Sequence, residues 1–272
     1  MKTLKNLEID SCLCVGLDPI LELIPEININ NIHNKIYSFL TKVIELTASD
    51  INFFKIQKAF FDELDSGKEL LRSIINFINI NYPKKIVIVD CKIGDVNHTL
   101  QSYTKNLFIN LNADGIVVNP YMGEDVFSLF NDFPNKLFFV LIRTSNLGAS
   151  IIQDVQLQNG QKLWFYILSE IINKWNFNKN IIPIISLENN IDDYQKIASI
   201  IPQDMKIFWA GYGAQSKKVN NLYLLQNKDK NRFIINSSRG ILYKKISNSK
   251  NWENQISKNL TQTLKDFKKN RL

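Results

Sequence analysis

The chain has 272 residues, of which 45% are hydrophobic and 22% charged, with a formal net charge of +7 and an isoelectric point of about 9.1. This composition is typical of a globular protein, and the length suits one α/β barrel or two small domains. No apolar run reaches membrane-spanning length, and the first residues, MKTLKNLEIDS, include acids and lack the apolar segment of a signal peptide. We therefore expect a cytoplasmic protein with no membrane partner.

The positive charge raises the alternative of a nucleic-acid partner. The lysines are scattered, however, and Asn, Ile and Lys are frequent throughout, which favours an A/T-rich coding sequence over a binding surface. The three cysteines, Cys12, Cys14 and Cys91, form no C-x-x-C pair and no Cys/His cluster with zinc spacing. We expect no nucleic-acid partner, no metal site and a reducing compartment.

Short apolar runs rich in β-branched residues alternate with segments whose apolar spacing is helical. The predicted strands are Cys12–Leu17, Ile51–Ile56, Lys85–Lys92, Gly115–Asn119, Leu137–Arg143, Ile181–Leu187, Lys206–Ala210 and Arg232–Asn236. Predicted helices include Asn34–Ala48, Glu69–Ile80, Leu100–Leu111, Gly160–Trp175 and a final helix near Trp252–Phe267. Continuous apolar strands are typical of a parallel sheet covered by helices. The pattern predicts an α/β fold, a single-domain (β/α)8 TIM barrel over residues 1–272.

Active sites of such barrels lie at the carboxyl ends of the strands. Polar residues occur where the apolar runs stop: Asp18, Lys55, Asp90, Lys92, Asn119, Thr144, Ser145, Asn146, Gln215 and the segment 237–240. Any single one could be a solvated loop residue, but their joint placement predicts one polar site.

The segment IVIVDCKIGDVNHT at 86–99 contains the densest group of these residues. Alternate strand residues share a face, so Asp90 and Lys92 point the same way and Cys91 the other way. Asp95 lies past the strand end, and Thr99 shares its face if a helix starts there. An ordinary strand–turn–helix with a surface ion pair is the alternative. Burying such an ion pair in a barrel mouth costs free energy unless each ion is well partnered. A catalytic role explains the presence of the pair better than a contribution to stability does.

The pattern D-x-K-x-x-D-x-x-x-T formed by residues 90–99 resembles the catalytic signature of orotidine 5'-monophosphate decarboxylases. Other segments resemble motifs of the same family: LCVGLDP at 13–19, FFKIQKAFF at 53–61, NPYMGED at 119–125, RTSNLGAS at 143–150, GYGAQ at 211–215 and NSSRG at 236–240. Two segments depart from it. SLENN at 186–190 stands where the family often has a V-G-A-T-like turn, and Ser216-Lys217-Lys218 stands where it often has glycines.

The resemblance implies decarboxylation of orotidine 5'-monophosphate to uridine monophosphate and carbon dioxide without a cofactor. Lys92 would lie beside C6 of the pyrimidine and deliver a proton as general acid. Asp90 would lie beside the substrate carboxylate, and Lys55 would complete an alternating array of charges. Asp90 and Asp95 would hold Lys92 charged, because nearby opposite charge favours the ionised form.

Further residues are expected to bind the nucleotide. Asp18 matches the family's contact to the ribose hydroxyls. Arg239 offers a fork of donors suited to phosphate, and the backbone N–H groups near Gly240, at a predicted helix start, favour an anion. Gln215 is expected to bridge the phosphate and the base.

The loop after the fifth strand is expected to read the pyrimidine through Ser145 and the backbone of Thr144, while Asn119 belongs to the fourth-strand loop. A turn hydroxyl bonded to its own backbone is the alternative for Ser145. The family's equivalents of Asp95 and Thr99 enter a neighbouring subunit's site, which implies a homodimer with shared active sites.

Three alternatives remain open at this point. A phosphosugar decarboxylase would use Asp90 and Asp95 as ligands of a divalent metal, although Lys55 and Lys92 place positive charge there. A non-catalytic binding protein would show salt-sensitive affinity and no turnover. His98 could act as a base, although a lone histidine beside a helix start is more often a capping or surface residue.

Overall fold

The fold is a closed barrel of eight parallel strands, which runs in chain order from β1 to β8 and closes where β8 pairs with β1. This computed structural model describes residues 11–27, 29–186, 191–210, 232–246 and 251–269. The strands are β1 Leu13–Leu17, β2 Phe53–Gln57, β3 Ile86–Ile93, β4 Gly115–Val118, β5 Leu137–Arg143, β6 Ile181–Ile185, β7 Ile207–Trp209 and β8 Phe233–Ser237. The predicted (β/α)8 architecture is confirmed.

Helices cover the outside of the barrel. They are α1 Ile32–Thr47, α2 Ala59–Asp62, α3 Gly67–Asn81, α4 Asn97–Lys105, α5 Glu124–Ser128, α6 Ala149–Gln153, α7 Leu163–Glu170, α8 Ile191–Ile200, α9 Arg239–Leu242 and α10 Trp252–Lys269. In the described part of the chain, no helix combines the length and apolar character needed to cross a membrane.

The alternation of side chains along each strand builds two separate cores. One side chain set fills the barrel interior: Cys14, Phe53, Ile86, Ile88, Val117, Leu137, Phe139, Ile182, Ile184, Phe208 and Ile234. The alternate set, such as Val15 and Phe54, packs outward against the helices. Because both faces are buried, the strands read as continuous apolar runs rather than as alternating ones.

The inward-facing positions become polar toward the carboxyl ends of the strands. In β2 the interior series continues from Phe53 to Lys55, and in β8 it continues from Ile234 to Asn236. The same face that fills the barrel with apolar side chains therefore opens into a polar cavity at one end.

Several predicted boundaries were wrong by a few residues. The fourth strand ends at Val118 rather than at Asn119, because Asn119 accepts a hydrogen bond from the N–H of Tyr121 and caps a short turn that contains Pro120. The sixth strand ends at Ile185, and the predicted end at Leu187 lies outside the described residues.

Two helix predictions also required correction. The helix predicted from Gly160 begins at Leu163, because Gly160 has a φ of +76° in a tight turn that precedes it. The helix predicted over 100–111 begins earlier, at Asn97, and its last turn widens into a π-helical segment at Asn106–Asn110. The apolar spacing does not encode such a change in the backbone repeat.

Candidate active site

A cavity of about 410 Å³ opens at the carboxyl ends of the strands. Its polar lining residues are Asp18, Lys55, Gln57, Asp90, Lys92, Thr144, Ser145, Asn146, Ser186, Asn236, Ser238 and Arg239. Its apolar lining residues include Val117, Leu141, Ile184 and Phe208, which continue the barrel interior. The cavity therefore has an apolar floor and a charged rim, an arrangement that suits a small molecule with one apolar part and one charged part.

Four charged side chains form a row of alternating sign along this rim. Lys92 Nζ lies 2.7 Å from Asp90 Oδ1, and Lys55 Nζ lies 3.1 Å from Asp90 Oδ2. Lys55 Nζ also lies 3.9 Å from Asp18 Oδ1. Both oxygens of Asp90 thus contact ammonium groups, and the row reads Lys92, Asp90, Lys55, Asp18.

The row is buried at its centre and open at one end. Lys55 and Asp90 are 6% and 7% exposed, whereas the side chain of Lys92 is 47% exposed. Lys92 can therefore reach a bound molecule, while Asp90 and Lys55 are held among protein atoms.

Strand register places these groups together. Gln57 pairs with Asp90 across β2 and β3, and the side chain of Gln57 accepts a hydrogen bond from Lys92 Nζ at 3.2 Å. The pairing of β3 with β4 shifts register between Val89 and Ile93, and Lys92 has a φ of +44°. A left-handed backbone is unfavourable for a residue with a Cβ, and such strain is typical of functional sites.

The two buried members of the row stabilise each other's charge. Burial by itself raises the pKa of Asp90, but the charges of Lys55 and Lys92 outweigh it, so the pKa lies below its ordinary value. Burial by itself lowers the pKa of Lys55, but the charges of Asp18 and Asp90 outweigh it and the pKa is raised. Both groups are therefore ionised at neutral pH.

Asp18 is fixed by the closure of the barrel between β1 and β8. Ser238 Oγ donates to Asp18 Oδ2 at 2.6 Å, and the hydroxyl of Tyr243 donates to the Asp18 carbonyl oxygen at 2.6 Å. Gly16 is required at this seam, because a Cβ there would lie 2.7 Å from Ser238 Cβ. The first and last strands thus bring Asp18 and Arg239 to the same cavity.

Across the barrel, the loop at residues 144–146 forms the opposite wall. Thr144, Ser145 and Asn146 all line the cavity. The N–H of Thr144 donates to Gln153 Oε1 at 2.9 Å, and the Thr144 carbonyl oxygen accepts from Arg143 Nη1 at 2.5 Å. The backbone of Thr144 is thus already engaged within the protein, and the side chains of Ser145 and Asn146 are the polar groups that the loop presents.

Four predicted site residues do not line this cavity in the described structure: Asp95, Thr99, Asn119 and Gly240. Asp95 Oδ1 accepts from the N–H of Val96, and Thr99 is exposed in the first turn of α4. Asn119 is exposed and caps a turn. Gly240 follows Arg239 in α9.

Two further predictions concern Gln215 and His98. Gln215 lies outside the described residues. His98 is exposed on α4, and its carbonyl oxygen accepts from Ser102 Oγ.

Sequence reasoning missed Gln57 and Ser186 as cavity residues, and it predicted Asn236 and Ser238 only as members of the segment NSSRG at 236–240. A two-residue period was the available signal, because Gln57 follows Lys55 by two positions and Asn236 follows Ile234 by two. Asn236 is 9% exposed, and its Oδ1 is buried without a hydrogen-bond partner in the described part of the chain. A buried oxygen of this kind at a cavity wall is suited to accept from a bound molecule.

The cysteines show no sign of nucleophilic use. All three are unpaired, and burial raises the pKa of Cys91 to about 11 and that of Cys12 to about 12. Thiols with raised pKa values are poor nucleophiles, because the thiolate is the reactive form.

Comparisons with known proteins agree with this architecture. Residues 11–253 match the model of the orotidine 5'-phosphate decarboxylase / HUMPS family. A Flavobacterium johnsoniae orotidine 5'-phosphate decarboxylase is 34% identical over 234 residues, which cover 86% of this chain and 84% of that protein. The protein of that name from Cupriavidus metallidurans is 32% identical over 237 residues, covering 86% and 85%.

Solved structures show the same fold. The OMP decarboxylase of Leishmania donovani superimposes with a TM-score of 0.79 at 23% identity, covering 96% of this chain and 94% of that one. A putative orotidine-monophosphate decarboxylase from Toxoplasma gondii gives a TM-score of 0.81 at 22% identity, covering 96% and 91%.

Proposed function

This chain belongs to the orotidine 5'-phosphate decarboxylase / HUMPS family, and we propose that it converts orotidine 5'-phosphate to uridine 5'-phosphate and CO2, with Lys92 as the proton donor. The relatives at 34% and 32% identity are both named orotidine 5'-phosphate decarboxylase, and the matched residues cover 84% and 85% of their lengths. The observation within the site that supports the reaction is the alternating row of Lys92, Asp90, Lys55 and Asp18.

The chemistry explains why such a row is useful. The bond between C6 and the carboxylate breaks, CO2 leaves, and the electron pair of that bond stays on C6. A proton must then reach C6. No electron sink in the pyrimidine accepts the pair directly, so the site must stabilise negative charge at C6 more in the transition state than in the bound substrate.

We assign this role to Lys92. Its ammonium is at the open end of the row, and 47% of its side chain is exposed. It favours charge as it develops on C6 and then transfers a proton to that carbon as general acid. Asp90 and Gln57 hold the ammonium in place at 2.7 and 3.2 Å.

Asp90 acts on the other side of the charge change. Its carboxylate is ionised and buried, so a substrate carboxylate beside it is repelled, and that repulsion disappears when CO2 leaves. How much ground-state destabilisation contributes is contested for enzymes in general. Lys55 keeps Asp90 ionised and occupies its second oxygen at 3.1 Å.

The rest of the cavity is suited to a nucleotide. We assign Arg239, which has a planar donor fork, to the phosphate, and Asp18, which lies beside Ser238, to accept from the ribose hydroxyls. Ser145 and Asn146 on the opposite wall offer polar groups to the pyrimidine edge. We propose that Gln215 and Gly240 contribute to the phosphate side, as the family resemblance implies.

We also propose a homodimer in which each subunit completes its partner's site. Asp95 and Thr99 carry the family signature but do not line the cavity of their own chain in the described structure. Asp95 precedes α4 and Thr99 lies in its first turn, and along the same segment Val96 and Tyr103 are each 47% exposed. A partner packed on this surface would bury those side chains and receive Asp95 and Thr99. Asn119, in the neighbouring fourth-strand loop, is proposed to shape the same edge.

The alternative within the same class of barrels is a metal-assisted decarboxylation of a phosphosugar. Asp90 would then be a metal ligand, but both of its oxygens already contact ammonium groups of Lys55 and Lys92. This pairing favours the cofactor-free reaction. The single-domain organisation and the cytoplasmic location remain proposals, the latter supported by three unpaired cysteines.

An absorbance assay with orotidine 5'-phosphate in the presence of a chelator tests the proposed function. The proposal predicts turnover at the same rate with and without chelator, and competitive inhibition by uridine 5'-phosphate. Loss of turnover on chelation would favour the metal-dependent alternative, and binding without turnover would favour a non-catalytic protein.

A further inference from the structure

We propose that Arg143, Gln153 and Asp154 form a clamp that positions the base-reading loop at residues 144–146. The three residues do not touch the nucleotide themselves and are positioning residues. The inference rests on the proposed function, because the loop has a base to read only if a pyrimidine nucleotide occupies the cavity.

The first part of the clamp is a two-pronged ion pair. Arg143 Nε lies 3.1 Å from Asp154 Oδ1, and Arg143 Nη2 lies 2.9 Å from Asp154 Oδ2. Arg143 is 9% exposed and ends β5, while Asp154 directly follows α6. The pair therefore ties the end of a barrel strand to the segment that returns from the loop.

The guanidinium has a third contact that reaches the loop itself. Its Nη1 donates to the carbonyl oxygen of Thr144 at 2.5 Å. A planar guanidinium can make the two-pronged contact and this third contact together, whereas a lysine ammonium cannot match that fork. Arg143 thus fixes the orientation of the first loop peptide.

Gln153 holds the same residue from the other side. Its Oε1 accepts from the N–H of Thr144 at 2.9 Å, and its Nε2 donates to Thr144 Oγ1 at 2.9 Å. Thr144 Oγ1 in turn donates to Asn146 Oδ1 at 2.6 Å. This chain of hydrogen bonds runs from α6 to Asn146 and fixes the orientation of its amide, which leaves the Nδ2 group as the donor that faces other partners.

The arrangement accounts for the choice of residues around the loop. Thr144, Ser145 and Asn146 line the cavity, but Gln153 and Asp154 do not. A loop of small polar residues has many conformations, and recognition of a base edge requires one of them. Prior ordering by the clamp reduces the entropy lost when the nucleotide binds.

The test compares two ligands, one with the pyrimidine base and one without it. The proposal assigns uridine 5'-phosphate a contact with the loop, whereas ribose 5-phosphate, which has an anomeric hydroxyl in place of the base, is assigned only to the Asp18 and Arg239 side of the cavity. Inhibition constants for both are measured with the unaltered chain, Gln153→Met and Arg143→Lys, together with kcat, KM and the melting temperature. Gln158→Met, an exposed glutamine outside the cavity, is the matched control.

We expect Gln153→Met to raise the inhibition constant of uridine 5'-phosphate by about threefold to tenfold, which is the effect of losing one or two hydrogen bonds. Ribose 5-phosphate should bind as before, and KM should rise with little change in kcat. Arg143→Lys should act in the same direction, because lysine keeps the charge but cannot reproduce the hydrogen bond to Thr144. Gln158→Met should leave every constant unchanged.

Equal weakening of both ligands would show general damage and would overturn the clamp, as would unchanged uridine 5'-phosphate binding in both variants. If Gln153→Met does not fold, the two-ligand comparison on Arg143→Lys decides the matter alone. Failure of the unaltered chain to turn over orotidine 5'-phosphate would instead overturn the proposed function, and the clamp with it.

Discussion

Replacing Asp90 by asparagine removes the charge that links the two ammonium groups while it keeps the shape of the side chain. In the native row, Asp90 lies 3.1 Å from Lys55 and 2.7 Å from Lys92. Among the described residues, the variant leaves Lys55, which is 6% exposed, with only Asp18 at 3.9 Å as a counter-ion. Asp90→Asn should therefore destabilise the fold and stop turnover.

The size of the stability loss depends on how deeply each of the two lysines that lose their counter-ion is buried. Breaking a buried pair by removing one partner costs about 3–5 kcal/mol, because a charge remains buried without compensation. Asp18 still offsets part of the Lys55 charge, so we expect the lower end, about 3 kcal/mol. Breaking the ion pair with Lys92 adds less than about 1 kcal/mol, because that side chain is half exposed and its ammonium can rehydrate.

Asp193→Asn provides the matched control. Asp193 is 6% exposed and pairs with Lys162 at 2.9 Å, but the side chain of Lys162 is 27% exposed and can rehydrate. We expect this variant to lose only about 1 kcal/mol of stability. Urea denaturation of both variants and of the unaltered chain measures the difference. Equal losses of unfolding free energy in the two variants would refute the claim that the buried charge of Lys55, which has lost its partner Asp90, causes most of the destabilisation in Asp90→Asn.

Further predictions concern Arg239, the backbone of Lys92 and the pH dependence of stability. Arg239→Ala should raise KM by about tenfold to a hundredfold with a smaller change in kcat, because a charge-assisted phosphate contact is worth about 1.5–3 kcal/mol and lies away from the bond that breaks; steady-state kinetics checks this. Lys92→Gly and Lys92→Ala both lack the ammonium, but the φ of +44° is unfavourable only for alanine. The glycine variant should therefore be about 1 kcal/mol more stable than the alanine variant in urea denaturation. Equal stability of the two variants would show that the backbone at this position is not strained. Because the pKa of Asp90 is lowered in the folded protein, its ionised carboxylate stabilises the fold above the unfolded-state pKa of about 3.9, and this contribution is lost as the pH falls through the folded-state pKa. The difference in unfolding free energy between the unaltered chain and Asp90→Asn should therefore narrow below about pH 4, which urea denaturation at a series of pH values measures. The raised pKa of Lys55 gives the opposite dependence, with stabilisation present below about pH 10.4 and lost only as pH rises through the folded value.

Much of the fold follows from local pattern in the sequence. The strand predicted at Leu137–Arg143 has the observed bounds, because a continuous apolar run stops there at a polar loop. Boundaries failed where a single contact decided them, as at Asn119, whose side chain caps the next turn, and at Gly160, whose positive φ belongs to a turn. Propensity cannot weigh such contacts before the chain is folded.

Some features of the site could also be predicted from the sequence, and others depended on the folded structure. The alternation of Phe53, Lys55 and Gln57 along one face could have identified Gln57 as a cavity residue, since it needs only the strand period. The left-handed backbone of Lys92 could not have been found, because it depends on a register shift between β3 and β4. The clamp of Arg143 on Asp154 also required the fold, because a short helix brings residues 11 positions apart into contact.

The central claim is that Lys92 supplies both the stabilising charge and the proton, and Lys92→Ala tests it most directly. Turnover of orotidine 5'-phosphate and the dissociation constant of uridine 5'-phosphate are measured on the same preparation. A general acid contributes about 10²–10⁴-fold, so we expect kcat to fall by about a thousandfold or more while the dissociation constant changes by less than about tenfold. Near-normal turnover in Lys92→Ala would contradict the account.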